Sequence, residues 1–219
     1  MRSTALLIDT SNVYHNVNKE CGIEMLDYKK LFESLSKSFD LKEICFYDAI
    51  KDRTIEPEEY AAQQSFHEAM KSCGWPVKIQ TTKLQYRQNI TRNEAENAAV
   101  KMGIVDSCKN KIWALLEYLK LVQKQKEKGI DVMLASDAIE IALTKRFERI
   151  IIFSGDADFV PAVKLIQRYG GEVVNLHVYH GSSKELRDTC RFSILLELKE
   201  DEAIKLTQCD NQTHYISEI

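Results

Sequence analysis

The sequence predicts an α/β protein whose central parallel β-sheet is flanked by helices on both faces. Short apolar runs alternate along the chain with longer segments whose apolar residues recur at helical spacing. Residues that interrupt helices are rare, since the 219 residues include only 3 prolines and 8 glycines, so long helices are expected. Strands that alternate with helices pair in parallel and leave both faces of the sheet for helices to cover.

The first half of the chain supplies the first strands of this sheet. Residues 5–8 are apolar, residues 44–47 read Ile-Cys-Phe-Tyr, and residues 77–80 alternate as an edge strand does. Asp27 can cap a helix between the first two runs. Pro57 suits the first turn of a helix between the second run and the third.

Residues 85–128 are predicted to form a helical insertion with a basic surface. They lack strand signals, and six lysines stand against two glutamates between residues 109 and 128. Such lysines suit contact with a nucleic-acid backbone, although a solvated helix face explains them as well. The apolar stripe of the insertion needs a partner surface, so a homodimer formed through it is a further possibility.

The sequence after residue 128 completes one domain, residues 1–200, which is followed by a predicted polar tail, residues 201–219. A helix runs to about Arg146. Residues 149–153 form the most apolar strand of the chain, and residues 172–178 form the last strand.

Acidic residues directly follow two of these strands. Asp9 ends the first strand, while Asp156 and Asp158 follow residues 149–153. If the two strands are neighbours, three carboxylates converge at the edge where α/β sheets bind ligands. Packed carboxylates repel one another unless a cation lies between them, and Mg²⁺ prefers oxygen ligands. The pattern therefore predicts a metal site for phosphoryl chemistry, although Asp9 or Asp156 alone is also explained as a helix cap.

Two further acids, Asp131 and Asp137, lie on the helix that ends near Arg146. In a helical projection at about 100° per residue, residues 132, 135, 139 and 143 form the apolar stripe of this helix. Asp131 then lies near the edge of the stripe and can face the sheet. Asp137 lies almost opposite the stripe and is expected in solvent.

Three motifs occur along the chain in a fixed order. They are Leu7-Ile8-Asp9-Thr10-Ser11-Asn12, then Lys128-Gly129-Ile130-Asp131-Val132 with Ala135-Ser136-Asp137, and finally Ser154-Gly155-Asp156-Ala157-Asp158-Phe159-Val160-Pro161. Together they resemble the signature blocks of the NYN-domain family of PIN-like metal-dependent ribonucleases, especially its LabA-like branch. The resemblance covers residues 3–198 apart from the insertion. It implies a PIN-like sheet with the first and fourth strands adjacent, and Mg²⁺- or Mn²⁺-dependent cleavage of RNA.

Motif position assigns the candidate site residues. The resemblance implies that Asp9, Asp131, Asp156 and Asp158 are catalytic metal ligands, and Asp137 matches a further metal ligand, against its helical projection. Substrate contacts are expected from Asn12 by motif position, from Ser154 near a helix start, and from Lys128, the lysine nearest the second motif. The family often has an acid near Cys190 and Arg191, so Arg191 is a departure that would weaken activity or metal affinity if that acid tunes the site.

Other functions compete with the ribonuclease hypothesis. A PIN-like domain can bind RNA or protein with weak or lost catalysis. His177 and His180 offer acid–base cleavage of RNA without metal. A haloacid-dehalogenase-type phosphatase is a poor match, because such enzymes need an acid two residues after the first aspartate, where this chain has Ser11.

Composition narrows the cellular setting. With 33 acidic and 30 basic side chains, a net charge of -3 excludes a generally basic coat, although not a basic patch. No apolar run is long enough for a membrane span, and the first apolar run is too short for a signal peptide. The 6 cysteines lack zinc-ligand spacing and suit a reducing compartment, so the cytoplasm is predicted.

Overall fold

The computed structural model describes residues 1–21, 26–88, 90–119, 123–126, 129–198, 204–210 and 213–218. The chain divides into two units, the first formed by residues 1–82 and 129–219 and the second by residues 83–128. Lys128 lies outside the described residues.

Helices and strands alternate along the first unit as the sequence predicts. Before the second unit they are β1 (Ser3–Asp9), α1 (Thr10–Cys21), α2 (Tyr28–Ser36), β2 (Asp40–Ile50), α3 (Pro57–Lys71) and β3 (Val77–Lys83). The second unit contains β4 (Gln85–Gln88), α4 (Arg92–Lys101), α5 (Asp106–Tyr118) and β5 (Gln123–Lys126). The chain then forms α6 (Ile130–Leu143), β6 (Arg149–Phe153), a 3₁₀ turn (Ala157–Phe159), α7 (Val160–Arg168), β7 (Glu172–His177), α8 (Lys184–Thr189), β8 (Ser193–Leu198), β9 (Ile204–Asp210) and β10 (Thr213–Glu218).

The first unit contains an eight-stranded sheet in the order β10-β9-β8-β7-β6-β1-β2-β3. Strand β1 is parallel to both β2 and β6, while β9 and β10 are antiparallel additions at one edge. The expected adjacency of the first strand and β6 is confirmed. Because Ile8 pairs with Phe153, the residues one step further on, Asp9 and Ser154, leave the sheet side by side.

Helices cover both faces of the sheet, as the fold class requires. On one face, Leu6 and Ile8 of β1 pack in a buried cluster with Leu31 and Phe32 of α2. On the other face, α6 contacts β1, β2 and β6, and α7 contacts β7. The core therefore lies on both sides of β1, and the last residue of β1 emerges between two packed layers.

Helix α6 presents a different face to the sheet from the one that the sequence projection selects. Its buried residues are Ile130, Leu134, Ala138 and Ile141, whereas Val132 is 70% exposed. The projection was wrong because apolar side chains occur on several sides of this helix. Packing against the strands, rather than the distribution of apolar residues, sets its orientation.

The predicted polar tail, residues 201–219, is wrong, because β9 and β10 extend the sheet beyond β8. Strand β8 itself follows the strand that the sequence predicts to be the last one. Leu206 of β9 is 2% exposed and lies opposite Leu196. A strand with one buried face alternates apolar and polar residues, so its average composition looks polar.

The second unit is only partly helical. Strands β4 and β5 pair antiparallel, in a segment where the sequence shows no strand signal. Thr91 caps α4, and the Glu94 side chain accepts a hydrogen bond from the Thr91 backbone N–H in return. Met102 and Tyr118 are 76% and 84% exposed. A homodimer through this unit remains a prediction.

No helix among the described residues is long and apolar enough to cross a membrane.

Replacing Leu206 with alanine tests whether β9 belongs to the core. We expect the free energy of unfolding to fall by about 2–4 kcal/mol, because the side chain is fully buried. Gln208→Ala, on a half-buried residue of the same strand, is the matched control and should change it by about 0.5 kcal/mol or less. Urea unfolding measures both variants, and equal small effects would mean that residues 204–210 are a tail.

Candidate active site

Asp9 lies at the carboxyl edge of the sheet, between the end of β1 and the start of α1, and is 4% exposed. Its Oδ1 accepts a hydrogen bond from the backbone N–H of Asn12, with a distance of 3.3 Å. Its Oδ2 accepts one from the Ser154 hydroxyl at 3.0 Å. Asp9 therefore caps α1, as one explanation of its sequence position requires. It also accepts a hydrogen bond from Ser154, just beyond the neighbouring strand, which helix capping does not account for.

The first and third motifs are joined by two hydrogen bonds. One is the bond from Ser154 to Asp9, and the other runs from the Gly155 backbone N–H to Asn12 Oδ1 at 2.9 Å. We call Asp9, Asn12, Ser154 and Gly155 the polar clamp. Ser154 is 1% exposed, and its Oγ also accepts from the Asp156 backbone N–H at 3.2 Å. Ser154 thus positions Asp9 from beneath the surface, which differs from the substrate contact expected from the sequence.

Two glycines allow the loop after β7 to pack against the polar clamp. A Cβ on Gly155 would lie 2.1 Å from the Gly181 carbonyl oxygen, and one on Gly181 would lie 2.2 Å from Asn16 Oδ1. Asn16 in turn donates from Nδ2 to Asn12 Oδ1 at 2.9 Å. Sequence reasoning missed Asn16 and Gly181. The position of Asn16, four residues after Asn12 on one helix, is a usable signal, whereas Gly181 is recognisable only from the fold.

Asp156 and Asp158 differ in accessibility. Asp156 is half-buried, and its Oδ1 accepts from the Asp158 backbone N–H at 3.0 Å, which caps the 3₁₀ turn. The Asp158 side chain is exposed. Asp158, whose side chain does not cap the turn, is therefore more accessible to solvent than Asp156.

Asp131 is exposed in the first turn of α6. Gly129, with φ +87°, is the N-cap of this helix, so Asp131 is the second residue inside it. Helix α6 is about 20 Å long and leads directly to the start of β6. Its first turn therefore points toward the carboxyl edge of the sheet, the same edge as Asp9.

Asp137 faces the sheet, so the solvent position given by the helical projection is wrong. The Tyr47 hydroxyl donates a hydrogen bond to Asp137 Oδ2 at 2.8 Å. Burial raises the pKa of Tyr47, and Cys45 and Asp137 raise it further, so the phenol remains a donor. Asp137 also lines a cavity of about 140 Å³ together with Glu43 and Lys78. It lies about 9 Å along the helix axis from Asp131, over β2.

The candidate ligand atoms at the carboxyl edge are carboxylate oxygens, the type of ligand that a hard divalent cation prefers. Mg²⁺ binds carboxylate and carbonyl oxygens, usually through one or two carboxylates while it keeps several waters. Within the described parts of the chain, no group of three or more His, Cys, Asp or Glu side chains is gathered closely enough to hold a metal ion. The residues therefore fit an ion held by one or two carboxylates and water, and the expected convergence of three carboxylates does not appear.

The histidine alternative is weak, because His177 is buried. Burial lowers the pKa of His177 to about 4, which keeps the ring neutral near pH 7. Its Nε2 makes no hydrogen bond to the described residues, and it lines a cavity of about 10 Å³ beside Ser154, roughly the space of one water. His180 is exposed, and its backbone N–H donates to Glu20. His180 lines the same cavity, but a volume of about 10 Å³ is too small to admit a phosphodiester, so the two histidines do not form an accessible catalytic site.

Arg191 lies at the opposite edge of the sheet from Asp9. Its backbone N–H donates to the Val173 carbonyl, and its Nε lies 3.5 Å from a carboxylate oxygen of Glu172, the first residue of β7. The length of β7 separates it from the carboxyl edge by roughly 17 Å. The substitution of an acid by Arg191 therefore does not act on the candidate site directly.

Comparisons with known proteins agree with this geometry. The family model described as NYN domain matches residues 3–107 and 108–197. The chain belongs to the NYN-domain family. NYN domains have a PIN-like nuclease fold, are generally nucleases and typically use divalent metals.

One similar solved structure is that of a protein of unknown function from Vibrio parahaemolyticus. It is 23% identical, has a TM-score of 0.58, and the match covers 92% of this chain and 95% of that chain. At this identity the likeness shows the fold alone. No curated protein matches this chain. Membership of the LabA-like branch of the NYN family remains a prediction.

Substituting Gly181 with alanine tests the packing of the loop on the polar clamp. Gly103 is the matched control, because its φ of +70° is nearly the same as the +69° of Gly181, while a Cβ there meets nothing within 4 Å. Both variants pay the left-handed backbone strain of about 1–2 kcal/mol. We expect Gly181→Ala to lose about 1–3 kcal/mol more in urea unfolding, because Asn16 must move. Equal losses would mean that the contact does not constrain the NYN site.

The buried His177 predicts a specific pH dependence of stability. As the pH falls below 6.5, the unfolded chain takes up a proton that the folded chain, with a pKa near 4, does not bind. Stability contributed by the neutral ring is therefore complete above about pH 6.5 and is lost toward pH 4. We expect wild type to lose roughly 2–3 kcal/mol more than His177→Gln between pH 7 and pH 4, measured by urea unfolding. His180→Gln, at an exposed position, should behave as wild type does.

Proposed function

We propose that this NYN-domain protein is a divalent-cation-dependent ribonuclease that hydrolyses RNA phosphodiester bonds at the carboxyl edge of its sheet. The observation that supports this most directly is that the first and third motifs meet at this edge, through the hydrogen bond from Ser154 to Asp9, so that Asp9 lies at the same edge as the accessible Asp158. Membership of a family of nucleases supports the reaction class. The second and third motifs contribute the remaining acids at the same edge.

The site residues divide into cation ligands and positioning residues. Asp9 and Asp156 are the proposed inner ligands of Mg²⁺ or Mn²⁺, while the exposed Asp158 and Asp131 would bind directly or through water. Such a cation, when bound, lowers the pKa of a water and offsets the charge of the phosphate. Asn12 fixes the Gly155 backbone, and Ser154 orients Asp9.

The proposed reaction is the hydrolysis of one P–O3′ bond. A water oxygen bonds to phosphorus in line with the leaving 3′ oxygen, and a proton from that water ends on the 3′ oxygen. The products carry a 5′-phosphate and a 3′-hydroxyl. The carboxylates of Asp156 and Asp158 stand where the third motif turns into α7, so they are available to orient the water and the cation.

RNA is the proposed partner, and Lys128 with the other insertion lysines is proposed to contact its backbone. Lys101 and Lys111 are exposed in the second unit. Electrostatic contacts of this kind weaken steeply with salt. A second copy of the chain, joined through the second unit, and a cytoplasmic location also belong to the proposal.

The decisive experiment compares wild type with Asp156→Asn on labelled single-stranded RNA with Mn²⁺. Asparagine preserves the cap of the 3₁₀ turn, because Asn and Asp are similar in caps, so the change removes mainly the ligand charge. We expect cleavage to fall by roughly 100-fold or more. EDTA should abolish wild-type cleavage, and the products should carry 5′-phosphates.

Two controls separate the site from general charge effects. Asp27→Asn removes a carboxylate that likewise caps a helix, since Asp27 Oδ1 accepts from the Lys30 backbone N–H at 3.1 Å. Arg191→Gln alters the opposite edge. Both variants should cleave as wild type does. Equal cleavage by wild type and Asp156→Asn would overturn the proposal, and RNA binding without cleavage by either would favour the non-catalytic binding module.

A further inference from the structure

A cavity of about 380 Å³ opens at the amino edge of the sheet, opposite Asp9. Its wall is formed by the starts of β6 and β7, the ends of α6 and α7, and Arg2 just before β1. A cavity of this size is within the range that binds small molecules. The strands between the two edges are five to seven residues long, so roughly 17–23 Å separates the cavity from the candidate active site.

Positive charge exceeds negative charge around this cavity. Glu172, whose side chain is only 10% exposed, makes ion pairs with Arg2 and Arg149, and Arg191 approaches it at 3.5 Å. One carboxylate therefore faces three guanidinium groups. The other lining carboxylate, Glu148, accepts hydrogen bonds from the backbone N–H and hydroxyl of Ser3. Both carboxylates are already engaged, while the arginines retain donors that Glu172 does not use.

Lys145 adds another cation to the lining of the cavity. Among the described residues it makes no ion pair, and its side chain is exposed at the cavity. Its φ of 51° makes it the one described non-glycine residue in the left-handed region. The carbonyls at the end of α6 do not need its ammonium, because the backbone N–H groups of Lys145 and Arg146 bond to Ala142 and Ile141.

An aromatic ring completes the cavity. Tyr169, which follows the last residue of α7, is 61% exposed and lines the same space. An exposed ring beside cationic side chains suits a ligand that combines a planar base with a phosphate, because aromatic side chains stack on bases and cationic side chains bind phosphate.

We propose that this cavity binds a mononucleotide, with its phosphate against Lys145 and Arg2 and its base against Tyr169. The site is separate from the proposed catalytic edge and does not depend on a divalent cation. Its occupant would lie against the ends of α6 and α7, the two helices that carry the second motif and follow the third.

Isothermal titration calorimetry of the full chain with AMP tests this site, in buffer with EDTA so that cation-dependent binding at the other edge is absent. Wild type should bind AMP more tightly than adenosine or inorganic phosphate. Lys145→Asn should weaken AMP binding about tenfold, because asparagine tolerates the left-handed backbone but lacks the charge. Tyr169→Leu should weaken AMP binding about tenfold and leave phosphate binding unchanged.

The control variant is Lys71→Asn, which removes an exposed lysine at the end of α3, away from the cavity. It should bind AMP as wild type does, and circular dichroism should show that all variants are folded. Absence of AMP binding at millimolar concentration, or AMP binding that Lys145→Asn leaves unchanged, would overturn the proposal. RNA cleavage by Lys145→Asn should equal that of wild type, so a failure here and a failure of the ribonuclease proposal are distinguishable.

Discussion

The hydrogen bond from Ser154 to Asp9 is the interaction on which the rest of the candidate site depends. It forms only because β1 and β6 are neighbours in register, so that the residues directly beyond Ile8 and Phe153 meet. The same register brings Asn12, at the start of α1, within reach of the Gly155 backbone. A shift of one residue between the strands would turn Asp9 and Ser154 to opposite faces of the sheet and break both bonds.

The two edges of the sheet carry different sets of charged residues, which the net charge of -3 does not reveal. Strand β1 follows Arg2 and ends at Asp9, and β6 begins at Arg149 and ends just before Ser154. Parallel strands place all their starts at one edge, so cations that precede strands collect there. The acids that follow strands collect at the other edge. A position such as Arg191 must therefore be assigned to an edge before its charge is related to the site.

The sequence predicts those features that local patterns determine. The fold class and the placement of Asp9 and Asp156 at strand ends follow from the apolar runs, whereas the adjacency of β1 and β6 is implied by the resemblance to the NYN-domain family. The sequence does not predict features that depend on tertiary contacts. Asp137 accepts a hydrogen bond from Tyr47, which is 90 residues away in the sequence. No local pattern shows that Gly181 must lack a Cβ because the Asn16 side chain packs against it. Helix α6 is apolar on several sides, so its orientation also depends on packing.

The polar clamp explains why Asp9 alone is a poor indicator of metal chemistry. Both of its oxygens accept hydrogen bonds, one from a backbone N–H and one from a hydroxyl. An asparagine has one acceptor oxygen, so it would leave a buried donor unpaired at a cost of about 1–3 kcal/mol. Folding therefore favours a carboxylate at this position whether or not a cation binds. Asp156 needs only one acceptor for its cap, so its second carboxylate oxygen is not required by the fold. Substitutions at Asp156 and Asp158 can therefore remove a cation ligand without destabilising the fold, whereas a substitution at Asp9 affects both the ligand and the stability.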